Sequence, residues 1–519
     1  MNTDGVRRQG PHAILGRVML AFEGMEAPGI EERLLRAPAA GVTLFRALNV
    51  ESPLQVRALS ASLQDAAGGG LLIAADQEGG QFIALGEDST PFAGNMALGA
   101  VDEVDLTERV GRAIGAEARA MGVNVVYAPV LDVASNRLNP ALGIRAFGDD
   151  PTLVGRHGAA MVRGLQSAGV AAAIKHFPGA GEAAADPHHG VVSVNASRAI
   201  LTSRELAPFR DAVAAGARVA MSAHVALPAV TGREDVPSTL SRAVMTDLLR
   251  SELGFDGVSI TDALDMAGVG GRDGLPDVAA AIDAGVDLLL TAADPSARER
   301  IERALLAGRF SEDEAAGTER RLAGLRSWLG SFGPPPDVDV VGCAEHVVLA
   351  GELASKSITL VRDPDGLLPI DWSSIGRVLA VMPQPSDLTP ADTSSTVAPA
   401  LGAALRRYHA DVDEVVVEPE PDAASIAAIR SRAEAADLVV FGTIDAHRLR
   451  SQLDLVDAVV ETRTPTIAVA MRGPWDVASY PATATALATY SILPGSLDAL
   501  AAVLAGQAQA PGRLPVAVP

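Results

Sequence analysis

Between residues 1 and 330, short apolar or β-branched runs alternate with longer stretches rich in Ala, Leu and Arg that repeat at helical spacing. This alternation is typical of βα units repeated around a parallel sheet. Eight such runs begin at Arg17, Gly41, Leu71, Val123, Val170, Arg218, Gly257 and Val286. Eight strands with helices between them, in about 300 residues, predict a closed (β/α)8 TIM barrel. An open doubly wound sheet is the weaker alternative.

The pattern is interrupted at residues 331–343, where Pro334, Pro335 and Pro336 follow one another. Three prolines cannot continue a helix and favour an extended spacer, so we predict a linker here, after a barrel domain at residues 1–330. Residues 344–519 then form a smaller α/β layered domain, because apolar runs again alternate with helical patterns. These later runs begin at Arg377, Glu414, Asp437, Thr466 and Ala486.

Composition narrows the class of protein. Hydrophobic residues make up 48% and charged residues 20% of the 519 residues, and no stretch of about 18 apolar residues occurs, which disfavours disorder and a membrane span. The formal net charge of −22 would repel nucleic acid and anionic lipid. A single cysteine, Cys343, permits neither an internal disulfide nor a cysteine-based metal cluster, so we expect a cytoplasmic protein with no metal.

Ionisable residues gather where barrel strands three to seven end. They are Asp76, Asp132, Lys175, His176, His224 and Asp262. The carboxyl ends of barrel strands share one rim, so a single cleft can contain all six side chains. Taken singly, each aspartate could cap a helix and each histidine could be a core residue. Lys175 is distinctive because the sequence has only two lysines, Lys175 and Lys356, among its 42 Lys and Arg residues.

The loop after strand five carries Asp186, Pro187 and His188. Proline disfavours helical geometry at the residue before it, so Asp186 and His188 would point to similar sides of an extended segment. Asp186 could then orient the His188 ring and stabilise its protonated form, which makes His188 a candidate general acid. Together with an aspartate nucleophile, this pair supplies the groups needed for retaining glycosyl transfer. The alternative is that both residues are solvent-exposed loop residues without a catalytic role.

Several motifs now carry a family resemblance. KHFPGAGEAAADPH resembles the KHFPGHGD…DSH signature of the bacterial β-N-acetylglucosaminidases in glycoside hydrolase family 3. The blocks DQEGG, NPALGIRAFG, AHVALPA and ITDALDM resemble further parts of that family in the same order, and ASKSITLVRD and GRLPVAVP resemble its C-terminal α/β sandwich domain. The resemblance covers nearly the whole chain and implies a TIM barrel followed by a smaller α/β sandwich.

The resemblance also implies residue roles. Asp262 would be the nucleophile that forms a covalent glycosyl-enzyme, and His188 with Asp186 would be the acid/base dyad. The substrate-binding side chains would be Asp76, Arg145, Lys175 and His176. The implied enzyme is a retaining β-N-acetylhexosaminidase that needs no cofactor and acts on small β-linked N-acetylglucosaminides of cell-wall or chitin type.

The chain departs from the family pattern at Gln81 and Ala84, where arginines are expected, and at residues 179–182, where GAGE replaces GHGD. Substrate preference is therefore open between N-acetylglucosamine and glucose. Phosphorolysis, a Schiff-base lyase reaction at Lys175 and non-catalytic sugar binding are the competing functions. The second domain is expected to wall the cleft without a catalytic residue, and Asp445 and His447 are expected to be structural.

Overall fold

The structure is a computed structural model that describes residues 14–26, 28–36, 38–184, 190–264, 278–291, 294–308, 311–389 and 391–518. Eight parallel strands of its first part coincide with the eight predicted runs. They are β1 (Val18–Ala21), β2 (Gly41–Leu44), β3 (Leu72–Ala75), β6 (Val125–Val126), β7 (Ala171–Phe177), β9 (Val219–Ser222), β11 (Val258–Thr261) and β12 (Leu289–Leu290).

The eight strands form one sheet with the order β11-β9-β7-β6-β3-β2-β1-β12. A parallel bridge between Ile260 and Leu288 joins the two ends of this sheet. The sheet therefore closes, and the predicted (β/α)8 barrel is confirmed over the open doubly wound alternative. Two short pairs lie on its connections: β4 (Gln77–Gly79) with β5 (Phe82–Ile83), and β8 (Val192–Ser193) with β10 (Val225–Ala226).

Side chains that alternate along the barrel strands pack into two cores, one inside the barrel and one between the strands and the surrounding helices. On β1, for example, Met19 packs into an interior cluster while Val18 and Leu20 pack outward against the helices. The interior cluster also holds Tyr127 and Ile260, and Leu322 of a later helix packs against it. Side chains on opposite faces of a strand explain this division, because neighbouring residues point to opposite sides. The barrel interior is thus a packed core rather than a channel.

Helices occupy the connections between the barrel strands. The α-helices are Pro28–Arg36, Arg46–Asn49, Pro53–Ala67, Asn95–Val101, Val104–Ala120, Pro151–Ser167, Arg198–Ile200, Leu206–Ala214, Pro228–Thr231, Val278–Asp283, Pro295–Ala307 and Glu312–Leu329, with π-helical turns at Leu201–Glu205 and Ala243–Glu252. Several begin as capping chemistry predicts. Asp150 accepts a hydrogen bond from the backbone N–H of Thr152, ahead of Pro151 at the first helical position.

A second sheet follows, with the order β13-β18-β17-β16-β14-β15. Its strands are β13 (Thr359–Arg362), β14 (Val378–Pro383), β15 (Val412–Val417), β16 (Leu438–Thr443), β17 (Thr466–Ala470) and β18 (Thr485–Ala488). All neighbours are parallel except β13 and β18. The five predicted runs are confirmed as strands. The edge strand β13 lies outside those runs, within the ASKSITLVRD block, and its Leu360 is exposed.

Helices cover both faces of this sheet, which makes the second domain an α/β sandwich as predicted. The α-helices are Ala344–Ser357, Leu401–Leu405, Ala423–Ala433, Arg450–Val460 and Pro494–Leu504. On β14, Leu379 packs with one helical layer and Val378 with the other. In the described part of the chain, no helix combines the length and hydropathy needed to cross a bilayer.

Candidate active site

The first group of side chains at the barrel rim surrounds Lys175, which lies near the carboxyl end of the long strand β7. Its Nζ lies 2.5 Å from Asp76 Oδ1 and 2.6 Å from Glu78 Oε1. The side chain is 2% exposed, and burial alone would favour loss of the proton. The carboxylates of Asp76 and Glu78 outweigh burial and raise the pKa of Lys175 above its ordinary value. Lys175 is therefore a fixed buried cation beside two carboxylates.

Glu78 links this lysine to Arg145. Arg145 Nε and Nη2 donate to Glu78 Oε2 and Oε1 at 3.0 and 2.8 Å, a bidentate pair. Burial opposes ionisation of Glu78, but Arg145 and Lys175 reverse its effect and lower the pKa of Glu78 to about 2. Sequence reasoning included Glu78 in the DQEGG block without giving it a role. Its position two residues after Asp76, in an extended hairpin, was the available signal.

Arg145 is held on its other side by an aromatic ring. Its guanidinium carbon lies 4.2 Å from the centroid of the Phe82 ring, and Nη1 donates to the carbonyl of Ala141 at 3.0 Å. A guanidinium stacked on a ring and paired with a carboxylate has little rotational freedom. Arg145 is thus presented to the cleft in one orientation, and Phe82 is a second residue whose role the sequence did not indicate.

His176 is oriented by Asp132. Its Nδ1 lies 2.7 Å from Asp132 Oδ2, and Asp132 Oδ1 accepts from the backbone N–H of Ala180 at 2.6 Å. The other ring nitrogen, Nε2, lies 3.4 Å from Arg145 Nη2. A carboxylate at Nδ1 fixes the ring plane and keeps Nε2 on the side of Arg145. One buried aspartate therefore positions both His176 and the beginning of the loop after β7.

Asp262 follows β11 directly and is partly exposed. Its Oδ1 accepts from the backbone N–H of Ala263 at 2.7 Å. Burial opposes ionisation of Asp262, but His176, His224, the Ala263 N–H and Lys175 outweigh it and keep its pKa below the ordinary value. Asp262 is accordingly a carboxylate at neutral pH.

His224 supports the segment that carries Asp262. Its Nδ1 lies 2.8 Å from Thr239 Oγ1 and its Nε2 lies 3.1 Å from the carbonyl oxygen of Ala263. Because both ring nitrogens have partners, His224 holds the chain beside Asp262 rather than offering a group to a ligand. Of the six strand-end residues, His224 fits the core interpretation that the sequence left open.

Asp186 and His188 lie outside the described residues, so their predicted role stays a prediction. The chain that leads toward them is described up to Ala184 and is well anchored. Asn139 Nδ2 donates to the carbonyl of Ala180 at 2.8 Å, and Asn136 Nδ2 donates to that of Ala183 at 3.1 Å. A Cβ at Gly181 would lie 1.7 Å from the carbonyl oxygen of Val133, which explains the glycine there.

The second domain meets the barrel near this cleft. Gln81, one of the two positions where arginine was expected, donates through Nε2 to Asp392 Oδ2 at 2.8 Å. His447 Nε2 lies 3.1 Å from the carbonyl oxygen of Arg137, and Arg448 Nη1 donates to that of Pro140 at 3.3 Å. The second domain thus contacts the connections that follow β3 and β6. Within the described ranges no cluster of three or more His, Cys, Asp or Glu residues has the arrangement of a metal site.

Comparisons with known proteins agree with this arrangement. The profile of the glycosyl hydrolase family 3 N-terminal domain matches residues 19–325. The β-N-acetylglucosaminidase/β-glucosidase of Cellulomonas fimi is 30% identical over 487 residues, which cover 88% of this chain and 85% of that protein. The β-hexosaminidase A of Pseudoalteromonas piscicida is 35% identical over 377 residues, 66% of this chain but only 62% of that protein.

A solved structure extends the likeness to the whole fold. A glycoside hydrolase family 3 β-N-acetylglucosaminidase from Paenibacillus sp. str. FPU-7 superposes with a TM-score of 0.91 at 34% identity. The superposition covers 98% of this chain and 99% of that one. Both the barrel and the second domain are therefore shared with that enzyme.

Proposed function

Because this chain belongs to glycoside hydrolase family 3, we propose that it is a retaining β-N-acetylhexosaminidase. It removes terminal β-linked N-acetylglucosamine from small cell-wall or chitin-type glycosides through a covalent glycosyl-enzyme. The barrel domain, residues 1–330, carries the reaction, and residues 344–519 wall the cleft beyond the linker at 331–343.

This proposal rests on one observation. The partly exposed carboxylate of Asp262 lies on the same rim as the oriented polar side chains of Lys175 and His176. Asp262 follows β11 on the rim that also carries His176 and Lys175 of β7, and His176, His224 and Lys175 all help to lower its pKa. A nucleophilic carboxylate beside fixed hydrogen-bonding groups is the arrangement that glycosyl transfer needs, because the sugar must be held while its anomeric carbon is attacked.

In the first half of the reaction, an Asp262 oxygen forms a bond to the anomeric carbon as the bond from that carbon to the leaving oxygen breaks. His188, oriented by Asp186, gives its proton to the leaving oxygen. In the second half, His188 takes a proton from water, the water oxygen bonds to the anomeric carbon, and the bond to Asp262 breaks. The anomeric configuration is retained because each half inverts it.

The other groups hold the sugar. Asp76 is positioned to accept from sugar hydroxyls, while the Lys175 ammonium donates as a compact cation that a planar guanidinium would not replace. Arg145, fixed by Glu78 and Phe82, and His176, fixed by Asp132, provide two further oriented groups. Preorganised donors of this kind stabilise the transition state without reorganising during the reaction.

The names of the relatives support the choice of sugar. The Paenibacillus enzyme is a β-N-acetylglucosaminidase, and the Cellulomonas fimi protein is named for both β-N-acetylglucosaminidase and β-glucosidase activity. We therefore place N-acetylglucosaminides first and β-glucosides second as substrates. The net charge of −22 disfavours polyanionic partners, and with one cysteine we propose action in the cytoplasm on small carbohydrates.

The decisive experiment incubates the purified protein with 4-nitrophenyl β-N-acetylglucosaminide and the matching β-glucoside, each with and without phosphate, and identifies the sugar product. The proposal expects free N-acetylglucosamine with β configuration as the first product, at a rate that does not depend on phosphate. Sugar 1-phosphate formed only with phosphate would instead establish a phosphorylase, and binding without turnover would establish a sugar-binding protein.

Asp262→Ala tests the nucleophile and is expected to lower kcat by at least about 1,000-fold, because the carboxylate that forms the covalent intermediate is removed. Asp256→Ala is the matched control, since Asp256 is exposed and precedes the same strand at the opposite end of the barrel. Undiminished turnover by the Asp262→Ala variant would rule the mechanism out.

A further inference from the structure

The hairpin formed by β4 and β5 carries two of the groups that define the sugar pocket. Glu78 lies on β4 and pairs with both Arg145 and Lys175, while Phe82 lies on β5 beneath the Arg145 guanidinium. A two-stranded hairpin of three and two residues has little stability of its own. The position of Glu78 and Phe82 therefore depends on what holds the hairpin.

A segment of the second domain holds it. Gln81, between the two strands, donates from Nε2 to Asp392 Oδ2 at 2.8 Å, and its carbonyl accepts from the backbone N–H and Oγ1 of Thr393 at 2.8 and 3.0 Å. Thr393 Oγ1 also accepts from the backbone N–H of Ile83 at 3.2 Å. These four hydrogen bonds fix the turn and the end of β5 to residues from the other domain.

The segment that provides these bonds, residues 392–394, is itself held by buried hydrogen bonds. Asp392 Oδ1 accepts from the backbone N–H and the hydroxyl of Ser394 at 2.8 and 2.6 Å. Arg472, 1% exposed, donates to Ser394 Oγ at 2.5 Å and to Asp445 Oδ2 at 3.2 Å. Since Arg472 and Asp445 follow β17 and β16, the segment is tied to the ends of the central strands of the second sheet.

We infer that Gln81 and Thr393 form an interdomain clasp that positions the hairpin, so that the second domain determines how tightly the pocket holds its sugar. Gln81 and Thr393 are positioning residues that act through Glu78 and Phe82. The identity of the sugar rests on the function proposed above. The clasp also gives Gln81 a use at one of the positions where arginine is expected, because its uncharged amide donates to Asp392 while its backbone binds Thr393.

The test compares three substitutions in the full chain. Thr393→Val removes the hydroxyl that bonds to Gln81 and Ile83 at nearly constant volume, and Thr393→Ser keeps it. Thr396→Val makes the same change three residues away, where the hydroxyl bonds only within its own segment, to the carbonyl of Thr393. The measurements are KM and kcat for 4-nitrophenyl β-N-acetylglucosaminide, the Kd for N-acetylglucosamine by calorimetry, and the melting temperature.

The clasp predicts that Thr393→Val raises both KM and the Kd by about tenfold, the equivalent of one or two lost hydrogen bonds, with kcat changed less than about twofold. Thr393→Ser and Thr396→Val should keep wild-type values. Equal affinity in the Val and Ser variants, an equal loss in Thr396→Val, or no N-acetylglucosamine binding by the wild type would overturn the inference. A wild type that binds the sugar without hydrolysing it would contradict only the proposed function.

Discussion

Both domains place the same residue types at the carboxyl ends of parallel strands. In the barrel, His176 Nδ1 lies 2.7 Å from Asp132 Oδ2, and in the second domain His447 Nδ1 lies 2.7 Å from Asp476 Oδ1. Each domain also pairs an arginine with a carboxylate, Arg145 with Glu78 and Arg472 with Asp445. Residue type and strand position alone therefore do not distinguish the two clusters.

The difference lies in what completes each cluster. In the second domain, His447 Nε2 lies 3.1 Å from a barrel carbonyl and Arg472 binds the segment that clasps the hairpin, so the His447 and Arg472 side chains are only 5% and 1% exposed. At the barrel rim, the side chains of Asp76 and His176 keep 16% and 14% exposure. A cluster whose hydrogen-bonding capacity is filled by protein stabilises the fold, whereas one that stays partly accessible can bind a ligand.

Among the comparisons between the two domains, the largest effect should come from replacing the single lysine of each domain by arginine. Lys175→Arg is expected to lower kcat/KM by at least about 100-fold, because a planar guanidinium does not fit between Asp76 and Glu78 and disturbs the pocket. Lys356→Arg should leave activity unchanged, since Lys356 only pairs with Glu103 and Glu352 near the surface. Steady-state kinetics of both variants decide this, and equal activities would remove Lys175 from the site.

A smaller effect is expected from breaking the two His–Asp pairs. Asp132→Asn should lower kcat/KM by about 10- to 100-fold, because a charge-assisted hydrogen bond that orients His176 is lost. Asp476→Asn should instead lower the free energy of unfolding by about 1–3 kcal/mol with little change in activity. Kinetics and urea unfolding of both variants provide the comparison. The reverse pattern, with activity lost in Asp476→Asn alone, would mean that the clusters had been assigned to the wrong functions.

The smallest effect on activity is expected for Glu205, a buried carboxyl that neither cluster uses. Burial dominates and raises the pKa of Glu205 to about 7, although Arg204 lies 2.6 Å from one oxygen. The pKa of Glu205 is higher in the folded state than in the unfolded state. Its titration therefore leaves the free energy of unfolding unchanged below about pH 4.5 and lowers it by up to about 3 kcal/mol as the pH rises through 7. Glu205→Gln should therefore flatten the decline in stability between pH 5 and 8.

Urea unfolding midpoints of the wild type and the variant at pH 5 and pH 8 measure this difference. Glu182→Gln is the control, because Glu182 pairs with the same Arg204 but its side chain is 33% exposed. If the wild type and Glu205→Gln lose the same stability over this pH range, Glu205 is ionised throughout and the expected linkage is absent.

The barrel was predictable because its signal is local. Each apolar run of the first 330 residues became a strand, and Asp76, Lys175, His176 and Asp262 were identified because strand ends of a barrel share one rim. Glu78 was missed although it lies two residues after Asp76, because the sequence does not show which cations it pairs with. Its importance arises from Arg145, which is 67 residues away in the chain.

The order of the elements, the eight barrel strands and the rim predicted to carry the ionisable residues could be inferred from the sequence alone, because hydrophobic periodicity and strand direction are properties of neighbouring residues. The three-dimensional structure was needed to show that the barrel closes, that Gln81 binds Asp392, 311 residues away, and that His447 is nearly buried against the barrel while His176 stays partly exposed beside Arg145. The hydrogen-bond partners of a buried polar group come from distant parts of the chain, and those partners decide whether the group supports the fold or remains available to a substrate.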